Sequence, residues 1–288
     1  MQVPESLKWN VYISFHLFML NETMEHELVR EDQANPLLMR TFSIIIPAYN
    51  EEERIDPTLE EVTDFIWSNR LPWEVKVCID GNDGTEKIVQ EYARKYPFIE
   101  VSRSKGRSGK GGAIRRALPV SSEYTILMDA DNSVSLSSVL KAIPLLNDSD
   151  VVILSRYGNN DNSIPLSRRF LSRGFNLLLR ALLGLNITDT QSGYKIFRAE
   201  FLVEPIRKVS VTNAFYDVAL LYYARKKGAR IREASVVYKH VDGSSFEPFL
   251  LTIGMGVSLV AFSVTHSRFA AYIPNAMKRL YYKKFRWI

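Results

Sequence analysis

The chain has 288 residues, 46% of them hydrophobic, and a formal net charge of +5. That is enough apolar material to bury the core of one large α/β domain, with or without a helical appendix, and too much for a disordered chain. The single cysteine, Cys78, stands in an apolar run, which excludes a disulfide framework, points to a reducing compartment and makes a buried, inert thiol the natural reading.

Residues 9–20 (WNVYISFHLFML) are apolar but short, lack a small-residue cleavage site and run into an acidic stretch, which argues against a signal peptide. Met24 and Met39 both precede Thr41, so residues 1–40 read as an appendage or a misplaced start. From Thr41 the pattern alternates β-rich apolar runs with amphipathic helical stretches. Strands are predicted at 42–46, 75–79, 98–101, 124–128 and 151–154, and helices near 51–68, 85–95, 110–118 and 136–147. This order implies a mostly parallel sheet covered by helices. Further helices are predicted at 165–183 and 213–228, with a strand at 231–237 between the second of them and the apolar C-terminal part.

Residues 249–264 carry no charge, yet at about 1.5 Å per residue they reach only about 24 Å, short of a roughly 30 Å hydrocarbon layer. A helix lying in the membrane interface fits better than a crossing. No acidic residue follows Glu247, and six cations from Arg268 to Arg286 are interleaved with aromatic rings, a mixture suited to an anionic headgroup layer. Because these charges gather beside an apolar run, nucleic acid is not the expected partner. The expected domains are therefore 1–40 as appendage, 41–247 as the catalytic unit and 248–288 as membrane-associating helices.

In mostly parallel sheets ligands bind beyond the carboxyl ends of the strands, and here those ends are polar. Pro47-Ala48-Tyr49-Asn50-Glu51 follows the first, Asp80-Gly81-Asn82-Asp83 the second, Asp129-Ala130-Asp131 the fourth and Ser155-Arg156-Tyr157 the fifth. Turn chemistry explains the glycines and asparagines but not the repeated carboxylates. Two carboxylates at i and i+2 suit one Mg²⁺ or Mn²⁺, which takes hard oxygen ligands and leaves positions for substrate phosphates; the competing role is a helix N-cap, which Asn132 or Ser133 would fill as well. Residues 106–112 (GRSGKGG) are not a nucleotide-triphosphate loop, because Gly111 follows Lys110 where Ser or Thr is required. Lys110 and the helix that starts there still suit a diphosphate.

Taken in order, IIIPAYNEE (44–52), IDGNDGT (79–85), GKGGAIRRAL (109–118), MDADNS (128–133), ILSRY (153–157), RRFLSRGFN (168–176) and DTQSGYKIF (189–197) resemble family 2 glycosyltransferases, in particular the dolichyl-phosphate glucosyl- and mannosyltransferase group. The resemblance covers roughly 41–247 and implies a GT-A type nucleotide-sugar-binding fold. It also implies a donor, UDP-glucose or GDP-mannose, framed by Pro47, Tyr49, Glu51, Asp80, Lys110 and Asp129. Metal would sit on Asp129 and Asp131, and the phosphate of a dolichyl acceptor on Arg156, Arg168 and Ser172. Asp131, Arg156 and Asp217 would act in catalysis, with Asp189 and Gln191 orienting sugar hydroxyls; for Asp217 an ordinary helix-surface carboxylate is the equal alternative. Asp83 rivals Asp80 because the acidic stretch after the second strand is shorter than the family's. Gly243-Ser244-Ser245 lacks the lysine the family has there, a gap for Lys239 or His240 to fill.

A lipid monophosphate, with a second pKa near 6, needs no strong base to attack, and in-line displacement implies inversion. Such an enzyme works at the cytoplasmic face of a membrane. The rival readings are a glycosyltransferase for a glycan or glycolipid, a nucleotidyltransferase, and a non-catalytic nucleotide-sugar-binding membrane module.

Overall fold

The computed structural model describes residues 36–104, 106–157, 166–211, 215–239 and 248–266, with the side chains of 166–173 and 248–253 outside that description. Seven strands, β1 (Phe42–Tyr49), β2 (Trp73–Asp80), β3 (Ile99–Arg103), β4 (Tyr124–Leu127), β5 (Val151–Ser155), β6 (Lys195–Arg198) and β7 (Ile231–Ser235), form one sheet in the order β3-β2-β1-β4-β6-β5-β7. The helices are α1 (Ile55–Ser68), α2 (Thr85–Lys95), α3 (Gly109–Arg116), α4 (Leu136–Ala142), α5 (Leu166–Leu183), α6 (Glu200–Lys208), α7 (Tyr216–Lys226) and α8 (Pro248–His266). The architecture is the mostly parallel α/β sheet that the alternating pattern predicts.

One strand runs the other way. β6 pairs antiparallel with both β4 and β5, whereas every other ladder is parallel. Two reversals cancel, so β5 points the same way as β4 and its carboxyl end reaches the same rim. β6 itself starts at that rim, which brings the preceding segment, 189–194, onto it.

Alternation along the strands divides the core. Phe42, Ile44 and Ile46 face one side, with Ile55, Leu59, Val62 and Ile66 of α1. Ile45, Cys78 and Leu127 face the other, with Ile114, Leu202 and Leu220 from α3, α6 and α7. The spacing of the α1 residues, four, three, four, is that of one helical face. Cys78 is fully buried, and burial pushes its thiol up to about 11, as an inert structural cysteine requires.

Several expected boundaries shift for local reasons. α1 starts at Ile55 rather than 51, because Asn50 takes a positive φ of 55° and residues 51–54 close a turn first. α4 ends at Ala142 rather than 147, because Pro144 has no N–H to continue it and the chain tightens into a 3₁₀ turn at 143–147. β6 and α6 were not expected as separate elements. α8 is no detached appendix: Met255, Leu259 and Phe262 are buried in the second core, with the Phe262 ring 5.3 Å from Phe215 and 5.2 Å from Tyr222. No helix among the described residues is long and apolar enough to cross a membrane. The expectations for residues 1–35, for the basic aromatic tail from 267, and for His240 and Gly243–Ser245 lie outside the described residues.

Trp73 anchors the first core. Its ring is fully buried 4.6 Å from Phe42, and its Nε1 donates to the Leu38 carbonyl at 3.0 Å. Trp73→Ala should lower unfolding stability by about 3–5 kcal/mol, seen as a lower urea midpoint; an unchanged midpoint would contradict this packing.

Candidate active site

Pro47, Tyr49, Glu51, Asp80, Lys110 and Asp129 all line one cavity of about 150 Å³, together with Arg107. The parallel ladders put the ends of β1, β2 and β4 side by side, and the Gly109 backbone, at φ 69°, turns α3 in from below with Lys110 on its first turn. A neighbouring cavity of about 390 Å³ is lined by Asn50, Asn82, Asp83, Ser104 and again Tyr49 and Arg107. The Arg107 guanidinium lies over the Tyr49 ring at 4.3 Å. Arg107 went unnoticed in the sequence, where only its place inside GRSGKGG signals it.

The carboxylates of this rim differ in what they have left to give. Asp80 is 3% exposed; its Oδ2 accepts from the Ser108 N–H at 2.6 Å and the Ser108 hydroxyl at 2.7 Å, and its Oδ1 from Arg116 Nη2 at 2.6 Å. It therefore lines the cavity, as expected, while its oxygens secure the start of α3. Asp83 is no freer: its oxygens accept from the Thr85 N–H and hydroxyl and from the Glu52 N–H. These bonds outweigh the cost of partial burial and hold Asp83 below the usual carboxylate range.

Asp129 Oδ1 accepts from Lys110 Nζ at 2.9 Å, and Asp131 Oδ1 accepts from the Ser133 N–H at 3.0 Å. Between them the Thr58 hydroxyl donates to the Ala130 carbonyl at 3.0 Å, pinning the turn to α1. The next helix starts only at Leu136, so neither aspartate is a helix cap. Gly193 presses on the pair, since a Cβ there would stand 1.5 Å from Asp129 Oδ2. Nearby, Glu51 is pushed up to about 7, first by burial and then by the charges of Asp131 and Asp129, against the opposing pull of Arg54. Hard oxygen donors, a glycine cradle and crowded negative charge fit a divalent cation. Among the described residues no group of three or more acidic, histidine or cysteine side chains stands together, so a cation on Asp129 and Asp131 would need further ligands from outside that pair.

Arg156 and Asp189 form a closed fork. Asp189 accepts from Arg156 Nε at 2.8 Å, from Nη2 at 2.7 Å and from the backbone N–H at 3.0 Å, and is 2% exposed. Its own N–H and that of Thr188 donate to Glu233 on β7, both at 2.8 Å. Asp189 thus aims Arg156, and its oxygens are engaged by that arginine. Nη1 is the guanidinium donor not spent on Asp189. Arg156 lies outside both cavities described above, although its charge acts on Lys110 and Asp217.

Gln191 keeps a buried Nε2 with no hydrogen-bond partner. Asp217 is not the surface carboxylate of the alternative reading: it is 6% exposed, and its Oδ1 accepts from Lys195 Nζ at 2.7 Å. α5 carries the backbone of Arg168 and Ser172, whose side chains lie outside the described residues.

Residues 43–204 match the glycosyl transferase family 2 profile. The chain belongs to glycosyl transferase family 2. It is 29% identical to a dolichyl-phosphate beta-glucosyltransferase of Dictyostelium discoideum, over 88% of this chain and 82% of that one. It is 30% identical to the Homo sapiens protein of the same name, over 84% and 80%. Among solved structures it resembles glucosyl-3-phosphoglycerate synthase of Mycobacterium tuberculosis in complex with Mn²⁺, UDP and glucosyl-3-phosphoglycerate, with a TM-score of 0.57 over 78% of this chain and 80% of that one at 19% identity, a likeness of fold.

The fork carries a pH signature. Burial alone would raise Asp189, but the hydrogen bonds and charge of Arg156 outweigh it and hold its pKa below the ordinary value of 3.8. A carboxyl depressed in the folded state binds fewer protons there than when unfolded, so its stabilisation is complete above about 3.8 and lost as pH falls towards the folded value. Asp189→Asn should therefore flatten the fall of stability below that pH, measured by denaturant titration at a series of pH values; an identical slope in both proteins would refute the pairing.

Proposed function

We propose that this chain transfers glucose from UDP-glucose to dolichyl phosphate at the cytoplasmic face of a membrane, inverting the sugar to a β-linkage. The observation that carries the reading is the single cavity joining Tyr49, Glu51, Lys110 and Asp129. The names of the relatives favour glucose over mannose, and so UDP-glucose over GDP-mannose.

Asp129 and Asp131 would hold Mg²⁺ or Mn²⁺, which when bound supplies Lewis-acid neutralisation of the departing diphosphate. Lys110 adds a fixed positive charge to the same phosphates. Burial works against that charge, yet Asp129 and Asp217 outweigh it and hold the lysine above its ordinary pKa, so it stays an ammonium at any physiological pH. Tyr49 and Arg107 offer a flat, polar-edged wall for a base. Gln191 Nε2 serves a sugar hydroxyl. Arg156 presents Nη1 to the acceptor phosphate, joined by Arg168 and Ser172 from α5. Because that phosphate is already anionic, the protein's work is alignment and charge neutralisation rather than proton removal.

Membrane contact fits two adjoining helices. α5 leaves Leu177, Leu178 and Leu182 exposed, and α8, packed against it, leaves Val257, Val260 and Val264 exposed. Within α8 the spacing of three and four places those valines in one stripe. Apolar stripes of this kind suit the interface of a bilayer.

The direct test is a donor panel of labelled UDP-glucose and GDP-mannose with dolichyl phosphate and Mn²⁺, scoring extractable labelled lipid. UDP-glucose alone should label it; labelling from GDP-mannose, or none with either, would overturn the assignment. Asp131→Asn should lower turnover by roughly a hundredfold or more. Arg156→Ala should raise KM for dolichyl phosphate while leaving KM for UDP-glucose near its original value. Leu177→Glu combined with Val260→Glu should abolish flotation with anionic liposomes yet spare activity on a short, water-soluble prenyl phosphate; retained flotation would remove these helices from the membrane contact.

A further inference from the structure

Lys195 is a lysine with no exposure at all, on a strand in the middle of the sheet, and the mechanism above gives it nothing to do. A buried ammonium is costly unless it is paired and fully hydrogen-bonded. Its Nζ donates to Asp217 Oδ1 at 2.7 Å and also to the Ser192 carbonyl. The Ser192 hydroxyl in turn donates to the Leu154 carbonyl at 2.6 Å. The turn held in this way is the one that presses Gly193 against Asp129.

The other partner, Asp217, sits on the first turn of α7, beside Tyr216. Tyr216 packs so closely on α3 that a Cβ on Gly111 would stand 2.3 Å from its ring. Lys110 precedes Gly111, so this contact brings Lys110 and Asp217 towards each other. Apart from burial, the charges of Lys110 and Lys195 are the leading influences on Asp217. The outcome is a row of alternating charges, Lys195, Asp217, Lys110, Asp129, running from the core to the metal-ligand pair.

In that row Lys110 is bonded to the outer carboxylate, Asp129, and feels the charge of the inner one, Asp217. We propose that Lys195 is a positioning residue that sets this balance: by neutralising Asp217 it leaves Lys110 on Asp129, where the lysine occupies a carboxylate oxygen until a donor diphosphate draws it away. The inference rests on the metal reading of Asp129 and Asp131. Its consequence is that metal affinity without nucleotide is governed from the core. Without Lys195, Asp217 has one ammonium left to pair with and pulls Lys110 inward, freeing Asp129. Without the Asp217 charge, Lys110 has Asp129 alone and holds it harder.

The experiment is Mn²⁺ binding by electron paramagnetic resonance to the full chain, without nucleotide and with UDP, for wild type, Lys195→Met and Asp217→Asn, each checked for folding by thermal melting. In the absence of UDP, Lys195→Met should bind Mn²⁺ more tightly than wild type and Asp217→Asn more weakly, each by roughly tenfold, the scale of coupling between neighbouring charges. Damage to packing alone would weaken both. Shifts in the same direction, or no shift in either folded variant, overturn the proposal. If Lys195→Met does not fold, the isosteric Asp217→Asn decides alone: weaker binding supports the proposal, and unchanged or tighter binding overturns it. Wild type that binds no Mn²⁺ even with UDP would instead sink the metal reading itself, and this inference with it.

Discussion

Carboxylates withdrawn from water must be met by cations, and that requirement organises the catalytic rim. Asp80, Asp189 and Asp217 are each nearly inaccessible, and each is closed by a cation from a different stretch of chain: Arg116, Arg156 and Lys195. The bonds at once satisfy the acid and fix a loop. Asp80 sets the entry of α3, Asp189 aims a guanidinium, and Asp217 ties α7 to the turn before β6. Asp129 is the more open member of the set, with its side chain 35% exposed and a lysine that a phosphate can claim. Rigidity beneath and exchangeability above are what an anion-handling site needs.

The sheet supplies the platform for this arrangement through one reversed strand. Had β6 run parallel, its first residues would emerge at the opposite edge and take Gln191 and Gly193 away from the aspartates. Running antiparallel between β4 and β5, it delivers them to the catalytic side. A single change of direction therefore sets Gly193 directly behind Asp129.

Much of this was legible in the residues. Apolar runs at 42–46 and 75–79 announced parallel strands, and the polar ends they led to do gather in one cavity. The Asp129-Ala130-Asp131 stretch stood out because its members are neighbours in the chain. Partners did not, because they are remote: Arg156 meets Asp189 across 33 residues and Lys195 meets Asp217 across 22. Without those contacts Asp80, Asp189 and Asp217 look like carboxylates free to touch substrate, when each is already engaged. Lys195 did leave a trace, a charged residue opening the otherwise apolar KIF of a strand, but only the geometry reveals what the charge balances. β6 escaped notice because charged Lys195 and Arg198 bracket its only two apolar residues.

The absence of a side chain at residue 193 has a consequence for how the site can diverge. Backbone there fills the volume behind Asp129 so completely that even a methyl group would displace the carboxylate. That wall has no room for a side chain, and space for larger ones lies on the opposite bank, in the loops around Tyr49 and Arg107, where neighbouring cavities open. One side of the pocket is cast by backbone and the other is adjustable, an asymmetry that confines tolerated change to the Tyr49–Arg107 bank.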